Sequence, residues 1–103
     1  MKIREFIESN KEKYTCIDYE NGEVVYDTIN GFTSDSTKEE EEKAMNETID
    51  SLSFCEMNVF EYVNWLDSME EDPEDEEAKE RILAVAKNKY DYDVNDTFLV
   101  ISR

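Results

Sequence analysis

The chain has 103 residues, 28 of them acidic and 11 basic, a formal net charge of −17, and no histidine. That length holds one modest hydrophobic core and leaves little room for a deep substrate cleft beside it, so a single acidic α+β domain over residues 1–103 is expected. The charge excludes ordinary non-specific binding to DNA, RNA or anionic membrane, and an extended partner should be basic.

Twelve aromatic residues, clustered with β-branched ones, argue for a folded chain even though 38% of residues are charged. The N-terminal Met1-Lys2-Ile3-Arg4 lacks the apolar run of a signal peptide. No stretch approaches the roughly 18 apolar residues of a membrane span. Together with two cysteines, Cys16 and Cys55, in no CxxC or Cys/His pattern, this predicts a cytoplasmic protein with reduced thiols.

In chain order, Ile3, Phe6 and Ile7 give residues 2–9 the spacing of a short amphipathic helix. Residues 14–19 and 24–29 then flank Asn21-Gly22, the favoured pair of a two-residue hairpin turn. With Asn21 and Gly22 as the turn, Tyr19 faces Val24, Ile17 faces Tyr26 and Thr15 faces Thr28 on the core side. Cys16, Asp18 and Asp27 fall on the more polar face.

Asn30-Gly31 ends the hairpin and residues 32–37 read as a loop. Ser36 or Thr37 caps a helix whose first turn holds Glu39, Glu40, Glu41 and Glu42, which suits the helix dipole. Residues 52–57 alternate apolar and polar and predict a short third strand. Asn58 and Glu61 form a capping box for a helix with the stripe Val59, Val63, Leu66 and Met69, widened by Phe60, Tyr62 and Trp65.

Asp72 followed by Pro73 predicts an N-cap and first helical position, with Ala78, Ile82, Val85 and Ala86 as the apolar face. The unbroken run Thr97–Ile101 predicts an inner closing strand. The order α-β-β-α-(β)-α-α-β is α+β: a small, mainly antiparallel sheet with three to four helices.

The charge is uneven. Residues 32–77 carry −15 of the −17, and between Lys43 and Lys79 there are twelve acids and no base. Acids this dense repel one another, and interspersed lysines would relieve them. The function that uses such a surface is nucleic-acid mimicry, in which carboxylates occupy a Lys/Arg groove built for phosphates. On this reading the partner-binding residues are Glu39, Glu40, Glu41, Glu42, Glu70, Glu71, Asp72, Glu74, Asp75, Glu76 and Glu77.

Small size, the absence of histidine and the two acidic runs, Glu39–Glu42 and Glu70–Glu77, resemble the small acidic anti-defence proteins of phages and mobile elements, the anti-CRISPR and antirestriction DNA mimics. The resemblance lies in size and charge rather than in a motif, so it transfers no residue roles. It implies a non-enzymatic protein that occupies the basic groove of a DNA- or RNA-binding protein without touching nucleic acid or membrane. The alternative is a small accessory interaction domain of a mobile genetic element, binding through the hairpin or the Trp65 helix, with acidity serving solubility.

Asp91, Asp93 and Asn95 begin like a calcium loop, but its sixth and twelfth positions hold Asp96 and Ser102 where glycine and glutamate are needed. A turn with side chains bonding the backbone is expected instead. There is no Gly-rich phosphate loop, no Ser/His/Asp set and no histidine to activate either cysteine, so no catalytic residue, metal or cofactor is expected.

Overall fold

A computed structural model describes all residues, Met1–Arg103. The architecture is α+β, with four α-helices and a five-stranded mixed sheet in the order β3-β2-β1-β5-β4. The strands are β1 (Cys16–Asn21), β2 (Val24–Asp27), β3 (Gly31–Phe32), β4 (Ser53–Asn58) and β5 (Thr97–Ser102). The helices are α1 (Ile3–Asn10), α2 (Lys38–Met45), α3 (Val59–Leu66) and α4 (Glu76–Val85), the last continuing through a π turn over Ala86–Tyr90. No helix is long and apolar enough to cross a membrane.

The chain divides into two compact units, Met1–Glu56 with Leu99–Arg103, and Met57–Phe98. In the first, Ile3 and Ile7 of α1, Ile17 and Tyr19 of β1, Val24 of β2, Ala44 and Met45 of α2, and Leu99 and Ile101 of β5 form the core. A polar relay runs through it. Asn21 Nδ2 donates to the Tyr19 hydroxyl at 2.8 Å, and that hydroxyl donates to the Ala44 carbonyl at 2.7 Å. The Asn21 amide and the Tyr19 hydroxyl thus find partners, as burial requires.

The hairpin forms, but in a different register from the one Asn21-Gly22 suggests. Tyr19 pairs with Tyr26, Asn21 with Val24 and Asp18 with Asp27, so the turn is Gly22-Glu23. Gly22 takes φ +64°, the conformation a glycine supplies freely at the first central position. Asn21 is drawn into the strand by its bond to Tyr19. The shift is two residues, an even number, so Ile17, Tyr19 and Val24 still point inward.

Two further expectations change. Gly31, expected to end the hairpin, and Phe32, expected to open a loop, pair antiparallel with β2 as a fifth strand, and the sheet as a whole is mixed. Helix α4 starts at Glu76, three residues later than Asp72-Pro73 implies. Asp72 Oδ1 instead accepts the Glu74 N–H at 3.0 Å in a turn, and Asp75 becomes the N-cap, accepting the Ala78 N–H at 3.1 Å. Both aspartates can cap, and the one that leads directly into the apolar face of Ala78, Ile82 and Ala86 starts the helix.

In the second unit Val59, Tyr62, Val63, Ala78, Ile82, Ala86 and Phe98 are buried. Tyr62 stacks on Phe98 with centroids 3.9 Å apart and planes 1° from parallel. Asn58 and Glu61 make the expected capping box at the start of α3, with bonds of 2.9 and 3.1 Å. The aromatic group at the start of this unit separates: Tyr62 is core, whereas Trp65 is 45% exposed.

Candidate acidic interaction site

The eleven predicted partner-binding acids fall in two places. Glu39, Glu40, Glu41 and Glu42 occupy the first turns of α2 in the first unit. Glu70, Glu71, Asp72, Glu74, Asp75, Glu76 and Glu77 lie in the α3–α4 connection and first turn of α4, in the second unit.

On α2 most of the carboxylates have local work. Thr37 and Glu40 form a reciprocal capping box, and the hydrogen bonds from Thr37 hold the Glu40 carboxyl below its ordinary pKa. Glu41 accepts the Ser36 hydroxyl at 3.0 Å, and Glu42 pairs with Arg4 at 2.6 Å. Glu39 makes no such contact. The acids of this turn are thus largely what a helix start uses.

The α3–α4 connection is different. It begins with two non-glycine residues in left-handed conformation, Ser68 at φ 49° and Glu70 at φ 57°. Such conformations persist where surrounding contacts enforce them. Those contacts come from Asn64 on α3, whose Nδ2 donates to the Glu71 carbonyl at 2.8 Å and whose Oδ1 accepts the Glu71 N–H at 2.9 Å.

Arg81 on α4 adds a second anchor. Its Nη2 and Nε donate to Glu71 Oε2 at 2.5 and 3.2 Å, and this contact raises the guanidinium pKa further. Asp72 and Asp75 then close the turn and cap α4. A loop dense in like charge is held in one shape from both sides.

Within that frame Glu70, Glu74 and Glu77 form no hydrogen bond or ion pair, and Glu76 meets Lys79 only at 3.8 Å. All four are exposed, as are Asp72 and Asp75. The absence of bases between residues 43 and 79 is partly offset by folding. Arg81, Lys89 and Arg103 reach back to Glu71, Asp67 and Glu47.

Sequence reasoning assigned Glu71 to partner binding, whereas its carboxylate, only 27% exposed, is taken by Arg81. It passed over Asn64, whose only sequence signal is a polar residue beside buried Val63. It also passed over Asp67, which accepts from Tyr90 and from Lys89 at 3.1 Å. The Tyr90 bond and then the lysine hold the Asp67 carboxyl below its ordinary value.

The register that pairs Asp18 with Asp27 also brings Cys16, Asp18 and Asp27 together, with potential ligand atoms within 4.8 Å of one another. The Cys16 thiol donates to Asp18 Oδ1 at 3.5 Å. Asp27 Oδ1 accepts the N–H groups of Ile29 at 2.9 Å and Asn30 at 2.6 Å, so this group is engaged in shaping the hairpin end. The Asp91–Asp96 segment forms a similar turn, in which Asp93 N–H donates to Asp96 Oδ2 at 2.8 Å.

No known protein family, curated protein or solved structure matches the chain.

Proposed function

We propose that this is a non-enzymatic acidic binding protein, cytoplasmic in location, that presents the α3–α4 connection to the basic groove of a DNA- or RNA-binding protein. The observation that carries the reading is the double anchoring of Glu71 by Asn64 and Arg81, which pre-organises a loop of exposed carboxylates. A solvated acidic run with no binding role has no need of a fixed shape. A mimic of the phosphate backbone does, because a rigid array loses less conformational entropy on binding. The Glu39–Glu42 turn adds charge that steers approach.

The test is capture and competition. Immobilised protein should retain basic nucleic-acid-binding proteins at low salt, and duplex DNA should release them by competing for the same groove. Retention that duplex DNA does not disturb contradicts mimicry.

A second reading rests on Trp65. A tryptophan 45% exposed on α3, followed by Leu66 at 38%, suits a protein-interaction surface of an accessory domain from a mobile element, with acidity serving solubility. Trp65→Ala abolishes binding on this reading and leaves it intact on the first.

A further inference from the structure

The two edges of the sheet are finished differently. At one edge β3 has only two residues, and the chain beyond it covers β2: Ser34 Oγ accepts the Val25 N–H at 2.9 Å, and the Thr33 N–H donates to the Val25 carbonyl at 3.0 Å. A short edge strand with its neighbour's main chain satisfied is a usual guard against pairing with another chain.

At the other edge β4 is six residues long, and Ser53, Phe54, Cys55 and Glu56 are all exposed. The strand has no lysine and no proline. Apart from the Cys55 thiol, 3.9 Å from the Glu56 carbonyl, nothing outside the sheet bonds to the backbone of residues 53–56. The strand is nevertheless held: the Phe54 ring lies 4.9 Å from that of Phe6, and the Tyr14 hydroxyl donates to the Glu56 carboxylate. Side chains fix β4 while its outer row of N–H and C=O groups stays open.

We propose that β4 accepts an extended basic segment of the partner protein as an added strand. Main-chain hydrogen bonds supply affinity in this mode and alternate side chains supply selectivity. Charge decides the occupant. A second copy of the chain would bring another −17 and set Glu56 near its own counterpart, which is unfavourable.

A segment with Lys or Arg beside Glu56 and an apolar residue two places along, beside Phe54, matches the exposed face. The proposal rests on the partner being basic, as in the function proposed above, and adds a main-chain contact that carboxylates alone cannot make.

Cys55 provides the readout, because it is exposed while Cys16 is buried. The probes are a synthetic peptide repeating Val-Thr-Lys-Thr and one with proline in place of each threonine, equal in charge but unable to add as a strand. At low salt the first peptide should slow alkylation of Cys55 about tenfold near saturation. It should also protect β4 amides from hydrogen exchange. The proline peptide should do neither.

Equal binding of both peptides with Cys55 unprotected overturns strand addition and leaves the acidic-surface reading standing. Binding by neither removes both. Glu56→Lys should abolish the protection by the lysine peptide, and protection that survives it contradicts the choice of a basic occupant.

Discussion

Asn64 and Glu71 join side chain to main chain through two hydrogen bonds, 2.8 Å from Nδ2 to the carbonyl and 2.9 Å from the N–H to Oδ1. One amide group therefore satisfies both backbone atoms of the residue that follows left-handed Glu70. This pair makes the acidic connection a shaped element of the protein.

Asn64→Ala removes both bonds and should cost about 1–3 kcal/mol in urea unfolding, since each partner left unsatisfied adds to the loss. Asn64→Asp keeps the acceptor for the Glu71 N–H, removes the donor and adds another negative charge to the loop. It should be destabilised at neutral pH and recover part of the loss in acid. Amide exchange over residues 68–75 should accelerate in both variants.

Tyr19→Phe should be more harmful than Asn21→Ala. Removing the Tyr19 hydroxyl strands the Asn21 amide and takes from the Ala44 carbonyl the shorter of its bonds, leaving it the Glu47 N–H at 3.2 Å, at about 1–3 kcal/mol. Removing Asn21 leaves the Tyr19–Ala44 bond in place. Equal destabilisation of the two in denaturant melts would contradict a relay through Tyr19.

Asp67 contributes a pH-dependent increment. Its carboxyl is held below its ordinary value, first by the Tyr90 hydroxyl and then by Lys89, so the folded state favours the ionised form. That stability is fully present above the ordinary aspartate range and is lost as pH falls through the lowered folded value. Asp67→Asn should therefore be less stable than the parent at neutral pH, and the gap should close in strong acid.

Salt should stabilise this protein. The exposed carboxylates around Glu70, Glu74 and Glu77 repel one another, and screening weakens that repulsion more than it weakens the few ion pairs. A relief of about 1 kcal/mol raises the melting temperature of a domain this size by about 4–8 °C. A melting temperature that falls with added sodium chloride would show that the ion pairs outweigh the repulsion.

Local signals carried much of this fold. Capping residues Thr37 and Asn58, the apolar stripes of α1 and α4, and the run Thr97–Ile101 are short-range patterns, and each produced its element. What the sequence hid depends on contacts between distant residues. The hairpin register turns on Asn21 reaching the Tyr19 hydroxyl, and β3 forms because Gly31 and Phe32 find β2.

The start of α4 turns on which of two aspartates caps it. The acidic run was visible as composition. Its division into anchored Glu71, turn-forming Asp72, capping Asp75, and unengaged Glu70, Glu74 and Glu77 required Asn64 and Arg81 to be in place.

That division selects the decisive variant. Reversing Asp75 would remove the α4 cap and confuse folding with binding, whereas Glu70, Glu74 and Glu77 have no bonds to lose. The triple variant Glu70→Lys, Glu74→Lys, Glu77→Lys should melt at or above the parent temperature and lose DNA-competable capture of basic nucleic-acid-binding proteins. A folded triple variant that still captures those proteins, and still releases them to duplex DNA, would contradict the claim that this connection is the binding surface.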